Sequence, residues 1–288
     1  MSNGVDEWID KAIPAGSGRY YALLHSDSDL QKQQRLIVAL VSIFSQLGFQ
    51  SREIEVAKHK LEWWRQELEK ESFNHPVMVA LANTSPPANL NSHTLQTTFK
   101  RLKVLLNGYG TLLDSGSPSS DEQNQQFHLA TGAAACQLLC STETDEPIVS
   151  DAGVALSKFR CFRHLREHVD HGLLCLPMSV LDTQDISPAL LTPTAADEKV
   201  KAFLTKALEQ LYVEMQHCSG ALETHITKIP EDMRGRYKSL YIYMSLQMKL
   251  LQVMCKDDTS VVERVTRLTL IRNYWYAYRA ARKFDKFG

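Results

Sequence analysis

A chain of 288 residues with 44% hydrophobic side chains is long enough to bury a sizeable core, in one large domain or two small ones. Its 32 Lys and Arg nearly cancel its 33 Asp and Glu, which excludes the broad positive field on which nucleic-acid binding depends. The six cysteines form no C-x-x-C pair and sit mostly among apolar neighbours, so they read as buried free thiols in a reducing compartment.

The first stretch, "MSNGVDEWIDKAIPAGSG", lacks the apolar centre of a secretory signal and is too acidic for an organelle presequence. Residues 1–17 are therefore expected as a loose N-terminal segment of a cytoplasmic protein. Leu36, Leu40, Phe44 and Leu47 then mark a helix that Gly48 should stop. Its run "LIVALVSIF" is far shorter than the roughly 20 residues of a bilayer span, which leaves only peripheral membrane contact.

Ile54, Ala57, Leu61, Trp64 and Leu68 step by three or four, as one buried helical stripe does. "NSHTLQTTFKRLKVLLNG" (Asn91–Gly108) has cap-type residues at its start and a glycine at its end. Helices are expected over Asp121–Cys140 and from Val149 to about Val169. The period returns at Val200, Phe203, Ala207, Leu211 and Met215, at Leu240, Met244, Met248, Leu251 and Cys255, and at Val261, Val265, Leu268 and Trp275. Pro, Gly, Ser and Asn cluster in the breaks between them, as loops require. No stretch alternates as a strand does, and no linker separates domains. The pattern predicts one all-α domain over residues 1–288, of eight to ten helices.

Three stretches draw attention as chemistry. "FRHLREHVDHGLLCLP" (Phe162–Pro177) contains His164 and His168 in the H-x-x-E-H spacing of a zinc motif. It offers no clear third ligand, and Arg163 and Arg166 add positive charge, so a polar helix face is the expected reading. In "KHKLEWWRQELEK" (Lys58–Lys70), Trp64 lies on the apolar stripe and should be buried. Trp63 is rotated off it, to pack on a neighbouring helix or face a cavity. Arg65 lies close to the buried face, where a guanidinium can hold a carboxylate or phosphate. The aromatic run "RNYWYAYRAARKF" (Arg272–Phe284) has the spacing of a core helix and the composition of a contact surface for a protein partner.

"KLEWWRQEL" followed by "HPV" (His75–Val77) resembles the W-W-R signature of the squalene/phytoene synthase family. "RYYALL" (Arg19–Leu24), "FHLATGAA" (Phe127–Ala134) and "AGVALSKFRCFRHLREHVDHGLLCLPMSVL" (Ala152–Leu181) resemble further segments of it. The resemblance implies the isoprenoid-synthase fold, a helical bundle around a central apolar cavity that Phe44, Trp63 and Trp64 would help line. Active members join two prenyl diphosphates head to head, with Mg²⁺ held by two aspartate-rich motifs.

This chain departs from that pattern. "SQLGFQSRE" (Ser45–Glu53) stands at the first motif without an aspartate, and only Glu167 and Asp170 remain at the second. The sequence looks more like an aspartate-poor branch that includes mitochondrial proteins resembling complex I assembly factor 6. The absence of a presequence favours a bacterial cytoplasmic member. The resemblance then implies a non-catalytic or altered protein that keeps a cavity for a prenyl diphosphate or lipid, or takes a protein partner, with no cofactor. Arg19, Tyr20, Arg65 and Arg166 are its candidate diphosphate contacts. The alternative is a working transferase with Mg²⁺ on Glu167 and Asp170.

Overall fold

Apolar residues recur every three or four positions, and the computed structural model turns that period into helices throughout. It describes residues 3–26, 28–49, 53–84, 93–141, 146–192, 198–256 and 266–287, and no strand occurs among them. In chain order the helices are α1 (Asn3–Ala12), α2 (Gly18–Leu24), α3 (Ser28–Gln46), α4 (Ile54–Glu67), α5 (Pro76–Ala82) and α6 (His93–Ser115). α7 (Asp121–His128) runs through a π-helical turn (Leu129–Ala133) into α8 (Ala134–Leu139) as one rod. Then come α9 (Pro147–Arg163), α10 (Leu165–Asp170), α11 (Met178–Thr183), α12 (Glu198–Lys228), α13 (Glu231–Arg234), α14 (Lys238–Met254) and α15 (Leu270–Phe284). The helix expected through Val261 and Val265 lies outside the described residues.

α9 is the hub. The π-helical turn, α8, α12 and α14 all pack on it, and its apolar residues from Val149 to Cys161 are nearly all buried. At the crossing, Gly132 of the π-helical turn meets Gly153 of α9 backbone to backbone. A Cβ on Gly132 would fall 2.2 Å from the Gly153 carbonyl oxygen, and one on Gly153 would fall 2.3 Å from that of Gly132. Only glycine at both positions allows the two rods to approach this closely.

Three expectations are corrected. Within the expected loose segment, residues 3–17 are packed: α1 is an amphipathic helix whose Ile9 and Ala12, with Ile13 beyond them, are buried, and Trp8 packs on His75 at 5.1 Å. Gly108 does not end its helix. α6 continues to Ser115, and Gly108 sits under Ala130, whose Cβ would be 2.8 Å from an added one; the glycine makes room for a neighbour rather than a cap. The helix expected to reach Val169 breaks at His164, whose φ of −109° and ψ of 21° leave the helical range.

The aromatic C-terminal run divides between two roles. Ala277, Ala280, Ala281 and Phe284 are buried against the bundle, while Leu270, Ile271, Tyr274, Trp275 and Tyr278 are exposed. The Gly132–Gly153 crossing gives the first test. Gly153→Ala should destabilise the protein by about 1–3 kcal/mol, the usual cost of overpacking, read as a lower thermal midpoint. Gly4→Ala, where an added Cβ meets nothing within 4 Å, should leave the midpoint unchanged.

Candidate functional site

Two connected spaces lie between α2, α3, α9 and α14. The outer is a cleft of about 700 Å³ bordered by Arg19, by Ser42, Ser45 and Gln46 of α3, by Arg160, Arg163 and Glu167, and by Tyr243 and Arg267. The inner is a chamber of about 110 Å³ walled by Ile37, Val41, Leu139 and Leu156, with Gly132 and Gly153 of the central rods. Arg19, Leu156, Arg160 and Tyr243 border both. A charged cleft therefore adjoins an apolar interior across these four side chains, and the Gly132–Gly153 crossing forms part of that interior's wall.

Among the described residues, five cationic side chains face the cleft, Lys11, Arg19, Arg160, Arg163 and Arg267, against one carboxylate, Glu167. Lys11 is held by Glu7 at 2.7 Å. Arg160 donates to the Tyr109 hydroxyl at 2.6 Å and lies over that ring. Burial and the neighbouring charges of Arg19 and Arg267 push the Arg163 guanidinium below its ordinary pKa, and its Nε has no hydrogen-bond partner. Arginines crowded this way raise one another's electrostatic cost, the condition that favours taking up an anion.

The histidines here are neutral. Burial and the charge of Arg163 lower His164 to about 4, and burial and Arg160 lower His168 to about 3. His164 Nδ1 lies 2.9 Å from Glu167 Oε2. An ionised carboxylate only accepts, so Nδ1 carries the proton and donates. Glu167 is thus occupied by its own neighbour. His164 and His168 have different partners: His164 is bonded to Glu167, and a nitrogen of the buried His168 ring lies within 4.8 Å of the sulfurs of Cys161 and Cys175.

The other sequence candidates are dispersed. Arg19 borders the cleft as expected. Tyr20 packs edge-on to Tyr21 and Arg65 bonds Asn107 and faces Glu62; neither borders the cleft. Arg166 and Asp170 face each other at 3.9 Å on the exposed side of α10, and of the two acids only Glu167 borders the cleft. Phe44 and Trp64 are buried in edge contact with each other at 5.0 Å, within the packing of α3 against α4 rather than on a cavity wall. Trp63 is 43% exposed, with the Lys70 ammonium above it. Its rotation off the stripe carries it to solvent.

The remaining signature residues form a clasp. Glu67, with its side chain wholly buried, accepts from the backbone N–H groups of Asn74 and His75 and from Lys70 at 2.8 Å. His75 caps α5 and packs on Trp64 at 4.6 Å. The W-W-R-x-E-L and H-P-V stretches thus tie α4 to α5, away from the cleft. Arg160, Arg163 and Arg267 were not singled out from sequence. The available signal was the three-residue step from Arg160 to Arg163, which puts both on one helix face.

The profile of the squalene/phytoene synthase family matches residues 15–272. The chain belongs to that family. No curated protein matches it. Among solved structures, it is similar to a dehydrosqualene synthase in complex with ligand, at 13% identity and a TM-score of 0.67, covering 99% of this chain and 98% of that one. It is also similar to squalene synthase HpnC from Alicyclobacillus acidocaldarius, at 12% identity and a TM-score of 0.65, covering 88% of this chain and 94% of that one. Those likenesses establish the all-α isoprenoid-synthase fold.

The family's Mg²⁺ does not suit the donors present. Mg²⁺ requires oxygen ligands in octahedral array, normally with carboxylate charge. On α3 the cleft presents Ser42, Ser45 and Gln46, which bond among themselves. The single carboxylate opposite is engaged by His164 amid arginines.

The clasp yields a prediction about stability. Burial alone would raise the Glu67 pKa, but its bonds from Lys70, His75 and Asn74 outweigh that and hold it below the usual value. Its contribution is fully present above the ordinary glutamate pKa and is lost as pH falls through the depressed one. Glu67→Ala should cost about 1–3 kcal/mol by leaving buried donors unpaired. Urea denaturation followed from neutral pH downward should show wild type and variant converging in acid.

Proposed function

We propose that this protein binds a prenyl diphosphate, or a lipid with a similar anionic head, by direct arginine contact, and that it no longer performs the magnesium-dependent joining of two prenyl chains. The observation that carries this reading is the cleft's charge, five cations to one carboxylate among the described residues, beside an apolar chamber. An amphiphile with a doubly charged head and a hydrocarbon tail complements both spaces. Arg19 and Arg163 would hold the head, and Ile37, Val41 and Leu139 would surround the tail. The serines and glutamine on α3 support membership of the aspartate-poor branch.

The same geometry favours peripheral contact with a membrane as the route of entry. Leu270 borders the cleft, and with Ile271, Tyr274 and Trp275 it forms an exposed apolar edge beside Arg272 and Arg279 on α15. No helix among the described residues is long and apolar enough to cross a membrane. In liposome sedimentation, an Ile271→Glu/Trp275→Glu double variant should lose the binding that wild type shows to anionic vesicles, with its fold intact by circular dichroism.

Calorimetric titration of farnesyl diphosphate in EDTA tests the main reading. Wild type should bind without Mg²⁺, farnesol should bind much more weakly, and added salt should weaken the diphosphate. Arg163→Gln should reduce affinity by about tenfold or more, the loss of a charge-assisted bond. Glu167→Gln/Asp170→Asn should bind at least as well as wild type. Mg²⁺-dependent pyrophosphate release that disappears in that double variant would establish the transferase instead.

A further inference from the structure

Cys161, His168 and Cys175 are spaced seven residues apart in sequence and converge in space. Cys161 is on the last turns of α9 and His168 is on α10. Seven residues are two helical turns, which would leave these side chains on one face but about 10 Å apart along the axis. The break at His164 closes that separation. Gly172, with φ of +67°, then reverses the chain, a conformation open to glycine at little cost. The Leu173 N–H returns to the His168 carbonyl at 2.9 Å, and the Leu174 N–H bonds the Gly116 carbonyl at 2.8 Å. That turn sets Cys175 beside the other two.

The outcome is a cluster of two sulfurs and one imidazole nitrogen, all within 4.8 Å of one another, contributed by three buried residues. His168 is only 3% exposed and stacks flat on Phe49, with ring centroids 4.7 Å apart and planes at 9°. Its Nδ1 is buried and has no hydrogen-bond partner. A buried nitrogen left unsatisfied is costly, at about 1–3 kcal/mol, and marks a position where a partner is missing. The six cysteines are otherwise dispersed as packing residues, and this pair is the one accompanied by an imidazole.

We propose that Cys161, His168 and Cys175 form a binding site for a soft monovalent metal ion, Cu(I), reached from the cleft through His168, which borders it. Two sulfurs and a nitrogen are the donors that select Cu(I) or zinc over hard cations. Number and charge decide between those two. Structural zinc is tetrahedral, and among the described residues no fourth Cys, His, Asp or Glu joins the cluster. Cu(I) is satisfied by three donors.

Arg160 is close enough to act electrostatically on Cys175 and His168. Two thiolates and Cu(I) carry a net charge of −1, which Arg160 offsets, whereas two thiolates and Zn²⁺ are neutral and leave Arg160 uncompensated. Binding exchanges two thiol protons for one Cu(I) with no change of oxidation state. Because thiols must lose their protons to bind the metal, uptake should strengthen as pH rises. None of this depends on the proposed lipid ligand.

The test is an anaerobic titration of the reduced full-length protein with Cu(I) buffered by a chromophoric chelator. Wild type should retain one equivalent after desalting, with thiolate-to-copper absorption in the near ultraviolet. Cys161→Ser and Cys175→Ser should each weaken uptake by more than about tenfold, since even partners behind a ligand cost that much. His168→Asn should do the same, and Cys218→Ser should not. X-ray absorption on the loaded wild type, which requires no variant to fold, should show two sulfur scatterers and one nitrogen. Stoichiometric retention of Zn²⁺ but not Cu(I), retention of neither, or uptake indifferent to both cysteines would overturn the assignment.

Discussion

The contact of Gly132 with Gly153 governs the separation of the two central rods, and the positions of most functional residues follow from it. α9 carries Leu156, Arg160, Arg163 and Cys161 on successive turns, so its distance from the π-helical turn determines where each of them points. The π-helical turn itself widens the rod by one residue just where the backbones touch. Opposite, Thr131 and Ser157 bond one another at 3.2 Å and Ser157 bonds His128 at 3.0 Å. Burial, Lys158 and Arg160 depress His128 to about 3, so it joins this network as a neutral group. The polar atoms of the crossing satisfy one another and leave the chamber apolar.

The electrostatics of the cleft follow from the same rod. Arg160 and Arg163 share a face of α9, and the break at His164 ends that face before Arg166, which turns out toward Asp170. Arg160 has three relations at once, to the Tyr109 hydroxyl, to the chamber and to the thiols of Cys161 and Cys175. Two chemically different spaces, one suited to an anion and one to a soft cation, thus lie on either side of a single guanidinium.

Much of the fold is legible in the sequence because burial repeats with the helical period: α4, α12 and α14 follow their apolar stripes closely. α1 carries the same period at Val5, Trp8, Ile9 and Ala12, but its acids and its place at the terminus obscured it. Gly108 looks identical to a stop signal on paper, and only the neighbouring Ala130 gives it another purpose. The site is less legible because its members come from distant segments. Arg19, Arg163 and Arg267 have no shared spacing, and the irregular φ of His164 leaves no trace in the residue pattern. Cys161, His168 and Cys175 are each visible in the sequence, but their convergence is not.

The clasp of Glu67, His75 and Trp64 sits between α4 and α5, and no atom of it borders the cleft. The W-W-R-x-E-L and H-P-V stretches therefore bracket the scaffold at a distance from the cleft. Selection could exchange every group in the cleft without disturbing them. A search keyed to those brackets will gather enzymes and non-enzymes into one class, and sorting that class requires reading the opposite end of the molecule, where α3 faces α9.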